Sequence, residues 1–112
     1  MARVLAFVPD LLFGSGVVAS REAAGHQVAL ASELAGADPG EVDVLLVDLT
    51  VDPEARIAAV QSAGLRDSKT VAFYSHIEQE VRVLAEEAGF DLVVPRSRMA
   101  REGPELIARV SG

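Results

Sequence analysis

The sequence predicts an α/β fold in which a parallel β-sheet lies between layers of helices. Five short apolar runs are nearly continuous rather than alternating, which is typical of strands that are covered on both faces. The segments between these runs have helical spacing, so strands and helices alternate along the chain. Half of the 112 residues are hydrophobic, which is enough for one core, and we expect a single domain over residues 1–112.

The five predicted strands follow one another with helical segments between them. Such strand–helix–strand connections are right-handed and give a parallel sheet. Five strands favour a flavodoxin-like three-layer sandwich with the strand order 2-1-3-4-5. The predicted strands are Val4–Val8, Val28–Ala31, Val42–Val47, Val71–Tyr74 and Leu92–Val94.

The first two predicted helices have weak sequence signals. The first covers roughly residues 14–24 and ends before Gly25. The second must fit between the second and third strands, in Ser32–Glu41. That segment leaves room for only about one or two helical turns, so we expect a short second helix.

The third and fourth helices have clear signals at both ends. Asp52-Pro53-Glu54 offers an N-cap, a proline at the first helical position and an acid in the first turn, and Gly64 is expected to follow the helix. Ser75 and Glu78 have the spacing of a capping box, and Gly89 is expected to end the fourth helix. The predicted buried face of this helix consists of Ile77, Val81, Leu84 and Ala88.

The fifth helix is predicted to start at Pro104, because proline is favoured in the first helical turn. Leu106, Ile107 and Val110 have the spacing of one apolar face. We therefore expect these three side chains to point into the core.

The composition excludes several classes of function. A net charge of −7 argues against a nucleic-acid surface, which needs a basic stripe. The absence of cysteine and the presence of only two histidines exclude thiolate chemistry, disulfides and a multi-histidine metal site. There is no uninterrupted apolar run long enough for a membrane span, so we expect a cytoplasmic protein. The sequence also lacks the serine-hydrolase elbow motif, and we expect no enzymatic activity.

Polar residues follow several of the predicted strands where each strand ends. Asp10 comes shortly after the first strand, Asp48 after the third, Ser75 after the fourth and Arg96 after the fifth. The carboxyl ends of parallel strands meet at one edge of the sheet, where ligands bind in this architecture. The sequence therefore predicts that these four residues lie close together, although polar residues are also ordinary in loops.

The stretch VDVLLVDLT, residues 42–50, resembles the strand of response-regulator receiver domains that ends on the phospho-accepting aspartate. By this resemblance Asp48 takes the acceptor position, and Ser75 takes the position of the small hydroxyl residue that contacts the phosphoryl group. Arg96 takes the position of the family's lysine. The resemblance extends over the whole chain in element order. It implies a receiver-like domain, in which a carboxylate can attack phosphorus and a cation balances the transferred charge.

The sequence departs from the receiver pattern at the metal site. Receivers carry two adjacent acids after the first strand, which hold Mg²⁺, but Val8-Pro9 occupies those positions here. Asp10 and Asp48 remain as candidate Mg²⁺ ligands. Arginine also replaces the lysine, and the two are not equivalent at a phosphate site. We therefore expect a pseudo-receiver. Two roles stay open for Arg96: a solvated residue at the start of a helix, or an ion pair with Asp48 that substitutes for the metal and the lysine.

The leading hypothesis is a stand-alone receiver-like regulatory domain that needs no cofactor and acts by contact with other signalling proteins. The resemblance implies a partner or homodimer contact on the face formed by the fourth helix, the fifth strand and the fifth helix, near Val81 to Arg109. The first alternative is a phosphorylatable single-domain response regulator, with Asp48 as acceptor and Asp10 helping to hold Mg²⁺. Structural roles remain open as well, with Asp48 bonding its own loop and Ser75 capping a helix.

A second alternative is a binding module for a small anion or a nucleotide. Gly14-Ser15-Gly16, followed by Ala19, matches the G-x-G-x-x-A pattern of dinucleotide-binding loops, and Glu33 follows at a suitable distance for a ribose contact. In that motif the first glycine follows its strand almost at once, whereas Pro9–Phe13 intervenes here. This spacing favours a smaller anion over a dinucleotide.

Overall fold

The computed structural model describes residues 3–7, 27–31, 42–64 and 67–111. The predicted first and second helices lie outside the described residues. So do Asp10 and the loop Gly14-Ser15-Gly16. The structural findings below concern the described ranges only.

The described residues form a parallel β-sheet, and neighbouring strands pair in the order β2-β1-β3-β4-β5. The α/β class and the parallel sheet predicted from the sequence are confirmed. Each strand lies within about two residues of its predicted bounds, as expected for strand ends. The strands are β1 (Arg3–Phe7), β2 (Gln27–Ala31), β3 (Val44–Asp48), β4 (Lys69–Tyr74) and β5 (Leu92–Pro95).

Strand β3 lies in the middle of the sheet and is buried along its whole length. Successive side chains of a strand point to opposite faces, so Val44 and Leu46 pack on one face and Leu45 and Val47 on the other. Both faces are apolar because both are covered by helices. This explains why the run is continuous rather than alternating.

Three helices lie in the described residues: α1 (Pro53–Ser62), α2 (Gln79–Glu87) and α3 (Arg96–Ser111). They are the third, fourth and fifth helices of the predicted order. Helix α3 covers one face of the sheet through Met99, Leu106 and Ile107. Helices α1 and α2 cover the other face through Ile57, Val81 and Ala85.

Helix α1 begins at Pro53 and is followed by Gly64 with φ of 71°, as the sequence predicted. Asp52 does occupy the predicted N-cap position, but the prediction that its side chain caps the helix is wrong. Asp52 has φ of 47° and makes no side-chain cap bond within the described residues. Its backbone carbonyl accepts the first helical bond, from the Arg56 N–H at 3.1 Å. Because its backbone is left-handed, the Asp52 carboxylate does not take the usual capping position.

The predicted capping box at the start of α2 is wrong. The Ser75 carbonyl accepts the Glu78 N–H at 2.9 Å, which closes a turn, and α2 begins only at Gln79. Ile77 therefore lies in the turn rather than on the helix, and it is 77% exposed. Leu84 is 37% exposed. Of the predicted face, Val81 is buried and Ala88 is partly buried, and Ala85 joins them in the core.

Helix α3 begins at Arg96 directly after β5, so the predicted start at Pro104 is wrong. Proline has no N–H, and the Ala100 carbonyl therefore lacks its usual helical donor at position 104. The buried Met99 holds the first half of α3 against the sheet and extends the helix before the proline. The predicted inward positions are confirmed, since Leu106 and Ile107 are buried and Val110 is partly buried against them.

The amino ends of β1 and β3 are joined by one ion pair. The Asp43 carboxylate accepts hydrogen bonds from the Arg3 backbone N–H at 2.9 Å and from the Arg3 guanidinium at 3.1 Å. These hydrogen bonds hold the pKa of the Asp43 carboxyl below its ordinary value. The pair lies at the edge of the sheet opposite to the predicted site.

Candidate functional site

Asp48 is the last residue of β3, and its side chain is enclosed. The residue is 1% exposed. Its Oδ1 accepts the Thr50 backbone N–H at 2.8 Å and also the Thr50 hydroxyl. Two donors from one neighbouring residue thus replace part of the hydration that the buried carboxylate has lost. The structural role left open by the sequence, an acid that bonds its own loop, is present in the molecule.

The sheet register brings the ends of β3, β4 and β5 together. Asp48 pairs with Phe73, and Tyr74 pairs with Pro95. Continued by one or two residues, this register places Thr50 beside Ser75, and Ser75 beside Arg96. Two of the four residues predicted to converge, Ser75 and Arg96, do lie in one cleft. Asp48 lies at the same edge, and Asp10 is outside the described residues.

This cleft, which we call the rim cleft, has a volume of about 610 Å³. Three segments form it: the loop after β3, the turn after β4 and the first turns of α3. Asp48 is not among the described residues that line it, although its hydrogen-bond partner Thr50 is. The lining residues are Thr50, Val51, Ser75, His76, Glu78, Arg96, Ser97 and Ala100.

The ion pair between Arg96 and Asp48 stays a prediction. The hydrogen bonds described at the Asp48 carboxylate come from Thr50. Two further arginines near the start of α3 have an acidic neighbour: Arg98 lies 3.4 Å and Arg101 3.9 Å from Glu102. Their charges are therefore partly balanced within the helix.

Arg56 is a residue at this edge of the sheet that the sequence did not reveal. Its Nε donates to the Val51 carbonyl at 3.0 Å, and its guanidinium carbon lies 4.5 Å from the centroid of the Phe7 ring. One terminal nitrogen is buried and has no hydrogen-bond partner within the described residues. A cation in the first turn of a helix opposes the helix dipole. An arginine at this unfavourable position is a feature of the sequence that could have indicated specific contacts of the Arg56 side chain.

The Arg56 guanidinium lies against the side chain of Phe7, the last residue of β1. The sequence continues from Phe7 into Val8-Pro9, the positions that were compared with the metal-binding acids of receivers, and these two residues lie outside the described residues.

No group of three His, Cys, Asp or Glu side chains within the described residues could hold a metal ion. One oxygen of Asp48 already accepts hydrogen bonds from Thr50, and Mg²⁺ demands near-octahedral oxygen ligands.

Among the residues that the structure describes, none of the helices has the length and apolar character needed to cross a bilayer.

No protein-family model matches the sequence, and no curated protein matches it. Solved structures do match its fold. A response regulator from Thermotoga maritima has a TM-score of 0.81 at 13% identity, with 99% of this chain and 98% of that chain covered. The non-phosphorylated HemR receiver domain from Leptospira biflexa has a TM-score of 0.79 at 17% identity, with coverages of 100% and 95%.

A third match is a response regulator protein from Burkholderia pseudomallei, solved with a phosphorylated aspartic acid, a calcium ion and citrate. Its TM-score is 0.76 at 17% identity, and the match covers 100% of this chain and 67% of that chain. At such identities the likeness concerns the fold and not the chemistry of the site. The chain therefore has the fold of response-regulator receiver domains, as its sequence resemblance predicted.

Proposed function

We propose that this protein is a regulatory domain, not an enzyme, that acts in the cytoplasm by contact with other signalling proteins and without Mg²⁺-dependent phosphorylation. The single observation that carries the proposal is the enclosure of Asp48. An acceptor carboxylate must present an oxygen to the phosphorus of a donor in line with the leaving group. At 1% exposure, and with Oδ1 bound twice by Thr50, Asp48 is poorly placed for such an attack.

Two further features support metal-independent action. The acids that hold Mg²⁺ in receivers are replaced by Val8-Pro9, and Arg56 places a positive charge beside the end of β1. No cofactor is needed for a domain that works by surface contact. The acidic net charge of −7 speaks against nucleic acid as the partner.

We further propose that the complete chain has the flavodoxin-like order with five strands and a short second helix within residues 32–41. The pairing of β2 with β1 supports this order, because it leaves β2 as one edge of the sheet. The segment between β2 and β3 then crosses back over the sheet with little room for a long helix.

The partner surface is proposed to be the face formed by α2, β5 and α3. Exposed apolar side chains support this choice, since Val83 and Leu84 of α2 both reach solvent. Neighbouring apolar side chains on one helix are more often part of an interface than isolated ones are. The partner is another signalling protein or a second copy of this chain.

Intact-mass measurement tests whether the protein is phosphorylated in the presence of Mg²⁺. The full chain is incubated with Mg²⁺ and acetyl phosphate beside a receiver known to be phosphorylated by that donor. We expect the control receiver, but not this protein, to gain the mass of one phosphoryl group. An adduct on this protein that disappears in Asp48→Asn would overturn the proposal.

Light scattering and pull-down with Leu84→Glu test the surface. We expect this substitution to weaken self-association or partner capture, whereas Ala58→Glu, at an exposed position of α1 outside the proposed face, should leave contacts unchanged. Equal behaviour of the two variants, both folded by circular dichroism, would place the contact elsewhere.

The alternative function is a phosphorylatable response regulator with Asp48 as acceptor. One observation favours it: Ser75 and Arg96 lie together in the rim cleft, at the positions of the family's hydroxyl residue and lysine. The structurally similar protein from Burkholderia pseudomallei carries a phosphorylated aspartic acid. In this alternative Asp10 and Asp48 hold Mg²⁺, and the intact-mass experiment decides between the two functions.

A further inference from the structure

We propose that residues 50–52, in the loop after β3, form a strap that Arg56 fastens beside Asp48, and that release of the Arg56 side chain opens the strap. The inference rests on the proposed function, since it concerns how the Asp48 carboxylate is kept enclosed. It adds a conformational device to the fold. In the closed state one side chain holds the strap, and in the open state that side chain has left it.

Arg56 binds two successive carbonyl groups of the strap. Its side-chain Nε donates to the Val51 carbonyl at 3.0 Å, and its backbone N–H donates to the Asp52 carbonyl at 3.1 Å. Thr50, the residue before Val51, donates its N–H at 2.8 Å and also its hydroxyl to Asp48. Because the chain has only two soft dihedral angles per residue, a fixed Val51 carbonyl limits the movement of Thr50. Arg56 is therefore a positioning residue that acts on Asp48 through Thr50.

The second half of the strap has few stabilising features of its own. Asp52 has φ of 47°, a left-handed conformation that is unfavourable for most residues other than glycine. Its side chain makes no cap bond to α1 within the described residues. Val51 is 51% exposed, so its side chain adds little burial to the closed state. This conformation therefore depends on contacts from outside the strap, and Arg56 supplies one to each of these two residues.

The position of the Arg56 side chain combines a favourable and an unfavourable effect. Its guanidinium carbon lies 4.5 Å from the centroid of the Phe7 ring, which stabilises the closed state. One terminal nitrogen is buried without a hydrogen-bond partner in the described part of the chain, and such a buried donor is unfavourable. In the open state this nitrogen regains contact with water. The two effects oppose each other, so the side chain can be released without unfolding the domain.

Leu49 is the fixed end from which the strap opens. It is 1% exposed, and its N–H donates to the Phe73 carbonyl of β4 at 2.9 Å. Opening of residues 50–52 breaks the bond from the Thr50 N–H to Asp48 but leaves the bond of the Leu49 N–H in place. These two neighbouring amides therefore distinguish opening of the strap from unfolding of the sheet.

Amide hydrogen exchange of the full chain, followed in ¹⁵N–¹H spectra, measures the opening. Arg56→Met keeps an unbranched side chain but removes the guanidinium. We expect the Thr50 amide to exchange about 10-fold faster in this variant, which is the lower end of the effect of losing a charge-assisted hydrogen bond. The lower end applies because the unpaired nitrogen is removed as well. The Leu49 amide should change by less than about 2-fold.

Arg82→Met is the matched control. Arg82 lies on α2, its side chain is 51% exposed, and its Nε is 3.5 Å from the Glu86 carboxylate. This substitution removes an exposed guanidinium without touching the strap, so both amides should stay within about 2-fold of the wild type.

Arg56→Lys separates the guanidinium from its charge. An ammonium group keeps the positive charge but has no planar donor that can stack on the Phe7 ring while it binds the Val51 carbonyl. We expect the Thr50 amide of this variant to exchange about 3-fold faster than in the wild type or more. Circular dichroism and the Leu49 amide show that each variant is folded.

Three results would overturn the proposal: Thr50 exchange within about 2-fold of the wild type in both Arg56 variants; equal acceleration in Arg82→Met; or equal acceleration of Leu49 and Thr50, which would show unfolding of the sheet. The phosphorylation experiment gives an independent result. A phosphoryl adduct on the wild type together with faster Thr50 exchange in Arg56→Met would contradict the proposed function and support the strap. The absence of an adduct together with unchanged exchange would do the reverse.

Discussion

Replacing Thr50 by valine tests how Asp48 is held. Valine has almost the shape of threonine but lacks the hydroxyl, so the substitution removes one of the two hydrogen bonds to Oδ1 and leaves the backbone N–H bond in place. The lost bond joins a hydroxyl to a buried carboxylate, and such bonds contribute about 1.5–3 kcal/mol. For a domain of this size, that corresponds to a fall in Tm of roughly 5–12 °C.

Thermal and urea denaturation of four proteins measure this effect: wild type, Thr50→Val, Asp48→Asn and the double variant. If the hydroxyl stabilises the charged carboxylate, Thr50→Val should cost at least about 1 kcal/mol less in the Asp48→Asn background than in the wild type. Equal costs in the two backgrounds would refute the reasoning, because Thr50 would then act independently of the charge on Asp48.

Thr70→Val is the matched control for this cycle. The Thr70 hydroxyl donates to the Asp91 carboxylate and accepts the Asp91 backbone N–H, each at 3.1 Å, but this pair lies at the exposed amino ends of β4 and β5. Exposed pairs of this kind contribute less than about 1 kcal/mol, because water replaces the lost partner. The control therefore separates the effect of burial from the general effect of changing threonine to valine.

Three other substitutions have clear expected outcomes. Arg56→Met should change the free energy of unfolding by less than about 1 kcal/mol, because relief of a buried unpaired N–H offsets the lost guanidinium contacts; a loss above about 2 kcal/mol in urea denaturation would contradict this. Pro104→Ala should raise stability by about 1–3 kcal/mol, because alanine restores a donor to the Ala100 carbonyl, and a lower Tm would show that the proline is needed where it is. Asp43→Asn tests the pair with Arg3. Because the folded-state pKa of Asp43 is lowered, its stabilisation is present above the ordinary value of 3.8 and is lost as pH falls through the lower folded value. The stability gap between wild type and Asp43→Asn should therefore shrink from pH 5 to pH 2, roughly the range around that value, and a constant gap would exclude the effect.

The sheet was predictable from the sequence because strand burial leaves a direct pattern. Where both faces are covered, every residue of a strand must be apolar, as in β3, and the run ends where the strand meets solvent. The convergence of Ser75 and Arg96 followed from the same pattern, since parallel strands end at one edge. The glycines alone were also sufficient to predict two helix ends: Gly64 and Gly89 each follow a helix and have positive φ.

The helix starts were less predictable because they depend on tertiary contacts. Ser75 and Glu78 satisfied the capping-box spacing, yet the turn that closes between them delays the helix to Gln79. Pro104 was interpreted as a first-turn residue, but burial of Met99 against the sheet extends α3 back to Arg96. In the first case a competing local turn, and in the second a contact distant in sequence, outweighed a helix-start preference of about 1 kcal/mol.

The state of Asp48 could not be deduced from the sequence for a similar reason. Position 48 alone is equally compatible with an exposed acceptor and with an enclosed acid. The burial of Asp48 and its bonds from Thr50 distinguish the two. Both depend on how the loop after β3 folds.

Titration with beryllofluoride and Mg²⁺, followed in ¹⁵N–¹H spectra, tests the central claim most directly. Beryllofluoride mimics a phosphoryl group on an accessible aspartate and requires no reactive donor. The account predicts that the Thr50 amide, which is bound to Asp48, responds identically in the wild type and in Asp48→Asn. A saturable shift of the Thr50 amide in the wild type that is lost in Asp48→Asn would show that the carboxylate is open to phosphoryl chemistry and would contradict the account.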